Sequence, residues 1–354
     1  MNRHIRVSLH ANWLFRCAVV FIGLLHFFQY AKAQDPIFSQ FYATPLQLNP
    51  AFAGTTLAPR ITVNHRSQWA QIEGGFKTYA ATYEQSIEGL NSGFGLILLA
   101  DNAMNGVYRT NQFGLIYGYR LQINDGLFIK FGMEAGLIQS SLDWERLQFG
   151  DQINPVTGFE DPLGTPFLSE EKPPAELSNV LLDVSAGMLI YGKNFYAGFS
   201  LKHLNRPDES FLEINPNLSA GLPMQISAQA GFEISLLRGN NQKYGSFISP
   251  NVLYVQQGQL GQINLGAYMG MGLFYGGLWY RHTFSNPDAA VGLVGFRYQS
   301  FKIGYSYDFT LSRLSAINPG GTHEISLAIN LDDSENSRRR KRSERYIDCF
   351  KMWR

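Results

Sequence analysis

The sequence predicts an all-β protein, a transmembrane antiparallel β-barrel of about 14 strands with both termini in the periplasm. Three observations predict it: strands with one apolar face throughout the chain, connections that alternate between long and short, and no later segment apolar enough for a spanning helix. The pattern is clearest at residues 301–311, where apolar side chains occupy one face of a strand and polar or small ones the other. Without helices to cover an apolar face, that face is expected to meet lipid.

The N-terminal leader predicts secretion. Three arginines accompany a short apolar run at residues 18–28, and an Ala-Lys-Ala cleavage site ends at Ala33. The run is roughly half the ~20 residues that a spanning helix needs. We therefore expect residues 1–33 to be a signal peptide, with cleavage between Ala33 and Gln34.

Composition favours a barrel in the outer membrane over a soluble secreted domain. Charged residues make up 16% of the chain, below the usual ~25%, whereas the aromatic fraction is 14% and there are 35 glycines. The net charge of +1 gives no long-range attraction to nucleic acid. After cleavage only Cys349 remains, so an intramolecular disulfide is excluded.

Alternating segments of about 10 residues follow one another from residue 60 onward. The predicted strands span residues 60–69, 78–86, 93–100, 110–121, 127–139, 181–191, 195–203, 224–236, 244–255, 262–269, 273–283, 289–298, 301–311 and 323–331. Odd-numbered connections tend to be longer than even-numbered ones. Because outer-membrane barrels have short periplasmic turns and long outer loops, this alternation predicts periplasmic termini.

The chain therefore divides into four predicted parts. The signal peptide (1–33) is followed by an irregular periplasmic segment or plug (34–59), rich in proline and aromatic residues. The barrel occupies residues 60–331. A basic tail (332–354) ends the chain, and such blocks of like charge are usually disordered.

A series of different short motifs extends in order along nearly the whole mature chain. The first set comprises residues 34–41 (QDPIFSQF), then Asn49, Pro50, Ala51, Phe52, Ala53 and Gly54, then His65, Arg66, Ser67, Gln68 and Trp69. The second comprises Phe149, Gly150, Asp151 and Gln152, residues 195–200 (FYAGFS), residues 304–308 (GYSYD) and residues 320–325 (GGTHEI). This ordered set resembles the PorP/SprF family of type IX secretion outer-membrane proteins.

The resemblance implies a barrel in the secretion and gliding machinery of Bacteroidota. It implies a non-enzymatic role without a cofactor, in which the barrel supports export or surface anchoring of clients such as adhesins and docks periplasmic, peptidoglycan-associated components. Outer-membrane lipid would surround it. The alternative function is a transport channel for a small hydrophobic molecule, with the N-terminal segment as its plug.

Two motifs can also be weighed physically. Asn49 and Pro50 favour a turn, and Gly54 allows a backbone conformation that other residues resist. The segment either plugs the lumen or docks a periplasmic partner, or it is a rigid lead-in that seals the base of the barrel. In the second motif, Arg66 is costly on a lipid face and is expected to point inward, which would place Trp69 outward in an aromatic girdle.

Catalytic chemistry receives little support. The mature chain holds four histidines on different predicted strands, and no nucleophile elbow or zinc spacing occurs. We therefore predict no catalytic, cofactor-binding or metal-binding residue. The acidic connection at residues 140–180 could dock a client, with or without Ca²⁺, but a solvated outer loop is the favoured interpretation.

Overall fold

The computed structural model describes residues 35–56, 58–87, 89–211, 221–236, 246–284, 286–312 and 320–331. The predicted signal peptide and the predicted basic tail lie outside these residues.

Fourteen antiparallel strands build the described part of the chain. They are β1 (Arg60–Gln68), β2 (Phe76–Ile87), β3 (Ser92–Ala103), β4 (Tyr108–Asn124), β5 (Leu127–Leu142), β6 (Ser178–Gly192), β7 (Phe195–Lys202), β8 (Gln225–Phe232, continued by Ile234–Ser235), β9 (Phe247–Gln257), β10 (Leu260–Met271), β11 (Phe274–Thr283), β12 (Pro287–Tyr298), β13 (Phe301–Thr310) and β14 (Thr322–Asn330).

The strands close into a barrel. Each strand pairs with the next along the chain, and β1 pairs with β14 from Arg60 opposite Asn330 to Gln68 opposite Thr322. All the ladders are antiparallel. The predicted antiparallel barrel and its strand count are confirmed, and most observed strands begin and end within three residues of the predicted ones.

Side chains alternate between the lumen and the outer wall, as the period of a strand requires. On β13, the outward Tyr305 is 40% exposed and the inward Ser306 is fully buried. Outward aromatic side chains collect near both rims, as in membrane barrels. They include Tyr79, Tyr280, Phe284 and Phe309 near one rim, and Tyr119, Phe131, Phe195, Phe232, Phe274, Phe296, Tyr298 and Phe301 near the other. Among the described residues, no helix has the length and apolarity to cross a membrane.

The two rims differ in their connections. The long-connection rim carries residues 143–177 and 203–224, whereas the short-turn rim carries two-residue turns such as 125–126 and 193–194. One pair departs from the predicted alternation, because 236–246 separate β8 from β9 in the sequence although the adjoining strand ends lie at the short-turn rim, whereas only 258–259 separate β9 from β10.

The core of the barrel is supplied by the chain itself. Residues 36–56, which we call the luminal segment, lie inside the barrel and include α1 (Pro45–Leu48) and a 3₁₀ turn (Pro50–Phe52). Its apolar side chains are buried with inward side chains of the wall. The buried set in this segment is Phe38, Phe41, Tyr42, Ala43, Leu46, Leu48, Ala51, Phe52 and Ala53.

Candidate functional site

The Asn49–Gly54 motif rests on a row of glycines. Gly93, Gly118, Gly132 and Gly187 lie directly opposite one another on β3, β4, β5 and β6. We call this row the glycine rung. A Cβ carbon added at Gly93 would lie 2.6 Å from the Cα of Gly54, closer than real carbon contacts allow. The absence of side chains on the rung lets the backbone of the motif lie directly on the wall.

Asn49 fixes the start of the motif. Its side-chain Oδ1 accepts a hydrogen bond from the Ala51 backbone N–H at 2.8 Å, which caps the 3₁₀ turn. Its Nδ2 donates to the carbonyl oxygens of Met188 on β6 (3.0 Å) and Phe199 on β7 (3.2 Å). A single amide therefore both shapes the turn and ties it to two strands.

The end of the motif is held by charged wall residues. Gly54 has φ +66°, a left-handed conformation that favours glycine, and its N–H donates to Glu84 Oε2 at 3.0 Å. Glu84 also forms an ion pair with Arg60. Lys130 donates to the carbonyl of Ala53. These contacts bind the motif near the short-turn rim.

Aromatic side chains fill the middle of the lumen. The Phe41 ring lies edge-on to Trp279 at 4.6 Å between centroids, and the Tyr42 ring lies edge-on to Tyr268 at 5.0 Å. Leu48 contributes its backbone carbonyl, which accepts a hydrogen bond from Ser200 Oγ at 2.7 Å. Apolar packing and hydrogen bonds therefore join the segment to β7, β10 and β11.

A cluster of buried charges holds the segment near the long-connection rim. We call Ser39, Arg66, Arg281, Asp308 and Glu324 the charged clasp. Arg66 Nη1 lies 3.0 Å from Glu324 Oε2, and Arg281 Nη1 lies 2.9 Å from Asp308 Oδ2. Ser39 Oγ accepts from both arginines and donates to Asp308 at 2.7 Å.

The backbone of the segment completes the clasp. The N–H groups of Ser39 and Gln40 each donate to one carboxylate oxygen of Glu324 at 2.8 Å. The Gln40 amide donates to Ser306 Oγ at 3.1 Å and accepts from Ser326 Oγ at 2.6 Å. Removing one partner of a buried ion pair costs about 3–5 kcal/mol, because the other charge stays buried. Arg66, which the sequence places inward, therefore anchors the segment.

The Asp151–Gln152 motif lies elsewhere and braces the long connection at residues 143–177. Asp151 accepts hydrogen bonds from the Glu170 backbone N–H (2.7 Å) and from Ser169 Oγ (2.9 Å). These bonds, that from Glu170 above all, lower the pKa of Asp151. Gln152 Nε2 donates to the Phe167 carbonyl at 2.7 Å. Both residues serve the internal structure of the loop.

The remaining predicted residues follow the strand pattern. His65 stacks on Tyr79 with centroids 4.6 Å apart, and Ser67 and Gln68 end β1. Trp69 lies just beyond β1, with its ring edge-on to Phe76. Among the described residues, no group of three His, Cys, Asp or Glu side chains could hold a metal ion.

Two features of the site, the glycine rung and the charged clasp, were not predicted from the sequence. The glycine rung could have been found from inward glycines recurring on successive strands. The clasp could have been found from Asp308 and Glu324, whose charges on an inward face require partners. Both residues belong to motifs on which the family resemblance rests, and the barrel brings these distant motifs into contact with Ser39 and Arg66.

The structure is similar to solved outer-membrane barrels. It aligns with a CymD monoaromatic hydrocarbon channel at 10% identity and a TM-score of 0.45, covering 85% of this chain and 95% of that one. It aligns with the Pseudomonas putida toluene transporter TodX at 11% identity and a TM-score of 0.42, covering 80% and 92%. A Pseudomonas aeruginosa FadL homologue gives 12% identity and a TM-score of 0.36, covering 80% and 92%.

The family of this chain is identified by comparing its sequence with models of protein families. No curated protein matches the chain. The model of the type IX secretion system membrane protein family PorP/SprF matches residues 30–329, which include all the motifs described above and the whole barrel except Asn330, the last residue of β14. The chain therefore belongs to the PorP/SprF family, and it is an outer-membrane β-barrel of the type IX secretion system.

Proposed function

We propose that this barrel supports export or surface anchoring of client proteins as a closed scaffold. The observation that carries the proposal is the luminal segment, which crosses the barrel and is fastened near both rims. Open porins leave an aqueous channel through the barrel. Here, inward glycines, aromatic rings and charges of the wall all bind the chain's own N-terminal segment.

We further propose that residues 34–59 form a plug. This division is supported by the contacts of residues 36–56 with the barrel wall, above all at two anchor points, the glycine rung and the charged clasp. The short-turn rim, against which the Asn49–Gly54 motif is seated, would then face periplasmic, peptidoglycan-associated components. The braced loop at residues 143–177 would face the client.

The test loosens the segment without deleting it. In the double variant, Gly132→Ala prevents the Asn49–Gly54 motif from resting on the glycine rung, and Asn49→Ala removes the two hydrogen bonds from the Asn49 amide to β6 and β7. The contacts of the charged clasp are unchanged. Expressed in place of the native gene, this variant should give a heat-resistant barrel but a marked loss of client proteins from the surface proteome. Gly292→Ala is the matched control, since its nearest neighbour beyond the adjoining chain is 3.9 Å away. Normal client display by a loosened, folded barrel would refute the scaffold role.

A second candidate is passage of a small hydrophobic molecule. Its supporting observation is the aromatic lining around Phe41, where Tyr268 and Trp279 would be uncovered if the segment moved. Uptake of a radiolabelled aromatic hydrocarbon by the same cells separates the two functions. Gain of uptake with unchanged client display would favour the channel.

A further inference from the structure

The outer wall carries a groove near the long-connection rim. It has a volume of about 580 Å³ and is formed by outward side chains of β1 to β6. Ala81 and Ala100 form its floor, since they are the small side chains among larger exposed neighbours. Tyr79, Leu98 and Phe113 stand around them, with exposures of 48%, 53% and 42%. The groove is therefore an apolar depression in the lipid-facing surface.

Register shows how the groove is built. Tyr79, Ala100, Asn111 and Gln139 lie opposite one another on β2, β3, β4 and β5, so they form one outward row. The next row away from the rim includes Ala81, Leu98, Phe113 and Leu137. Polarity therefore falls along the wall from the rim toward the membrane centre.

Two cations stand immediately above the groove. Lys77, Asn102 and Arg109 form the outward row one step closer to the rim. Neither Lys77 nor Arg109 forms an ion pair with a described residue, and both are exposed. Two carboxylates lie in the connections beyond this row: Glu73, four residues before Lys77, and Asp143, two residues after Ser141, which pairs with Arg109.

The spacing of the cations suits one anionic group. β2 and β4 flank β3, so the backbones at Lys77 and Arg109 are about 10 Å apart. Arg109 Nε donates to the Gly106 carbonyl at 2.9 Å, and rotation of both long side chains would let Lys77 Nζ and the Arg109 Nη groups converge over Asn102. Arg binds phosphate through paired N–H donors and Lys binds it as a point charge. Basic side chains beside an apolar groove, at the level of an aromatic girdle, match the layout of a lipid with a charged head group.

We infer that this groove is a binding site for a phosphate-bearing acylated lipid of the membrane leaflet at the long-connection rim. An acyl chain lies over Ala81 and Ala100, and the phosphate lies between Lys77 and Arg109. The site faces away from the luminal segment, so it is independent of the proposed secretion role.

Lipid retention by the purified full-length barrel tests the site. The probe is lipid A, added to the detergent-solubilised protein and followed by native mass spectrometry, with a dephosphorylated lipid A for comparison. Wild type should retain lipid A and prefer it to the dephosphorylated form. Ala81→Phe with Ala100→Phe fills the groove and should reduce retention at least about tenfold, which corresponds to about 1.4 kcal/mol.

The charge variants and controls complete the design. Lys77→Gln with Arg109→Gln should abolish the preference for the phosphorylated lipid. Ala267→Phe enlarges an outward alanine on β10, and Lys193→Gln removes an exposed cation at the other rim; both should behave like wild type. All variants must show the heat-resistant band of a folded barrel. Equal retention of lipid A by the wild-type protein and by the Ala81→Phe/Ala100→Phe variant would overturn the inference.

Discussion

Substitution of Gly132 is the sharpest test of how the luminal segment rests on the glycine rung. A Cβ carbon there would lie less than 3.0 Å from backbone atoms of both Pro50 and Ala51. To restore ordinary contacts of about 3.5–4.0 Å, the motif would have to move by about 1 Å. Overpacking of this kind costs about 1–3 kcal/mol, and the movement weakens the two Asn49 hydrogen bonds to the wall, worth about 0.5–1.5 kcal/mol each. Gly132→Ala should thus destabilise the seated segment by about 2–4 kcal/mol.

A thiol reporter measures this loss. Ala43→Cys, in a Cys349→Ser background, places one buried thiol in the luminal segment, away from the rung. The rate at which this thiol reacts with a thiol reagent in detergent reports how often the luminal segment leaves the glycine rung. About 2–4 kcal/mol corresponds to about 30- to 700-fold faster labelling, whereas Gly292→Ala should change the rate by less than about threefold. Equal rates for the two glycine variants, in folded barrels, would refute the reasoning.

Three further predictions concern the wall and the loop. Tyr305→Arg should destabilise the barrel by about 2–4 kcal/mol near the midplane, and an unchanged unfolding midpoint would contradict the lipid-facing assignment. Cysteine at Pro162 should react with an impermeant maleimide on whole cells and cysteine at Lys193 should not; the reverse result would invert the topology. Because its pKa is lowered, Asp151 stabilises the loop at neutral pH, and this effect is lost as the pH falls through its folded-state pKa. Pepsin cleavage of the loop should therefore rise in strong acid for wild type, and Asp151→Asn should be cleaved readily at every acidic pH tested.

The strands could be predicted because each one carries its own evidence. At residues 301–311 the alternation of apolar and polar side chains indicates which of them face lipid, and two-residue turns such as 125–126 mark where a strand ends. The strands β4, β5 and β6 were predicted up to three residues too short at an end, since strand ends depend on pairing with neighbours and on the chain beyond them. Whether a strand exists, and which of its faces meets lipid, depend on its own residues, whereas its exact ends do not.

The luminal contacts could not be predicted in the same way. Arg66 was expected inward because a charge is costly in lipid, yet its partners Asp308 and Glu324 are more than 200 residues away in the chain. The sequence likewise marked Asn49–Gly54 as a special turn. Its seat became visible only when register aligned Gly93, Gly118 and Gly132 on neighbouring strands.

The charged clasp also has a consequence for assembly. A barrel is completed when its first and last strands meet, and Arg66 on β1 lies directly opposite Glu324 on β14 across that seam. The same two side chains bind Ser39 and the Gln40 backbone. These contacts of Arg66 and Glu324 can therefore all form only when the seam is joined and residues 39–40 lie inside the barrel. We therefore expect the joining of the sheet ends and the enclosure of the luminal segment to be coupled, with residues 39–40 stabilising the closed seam.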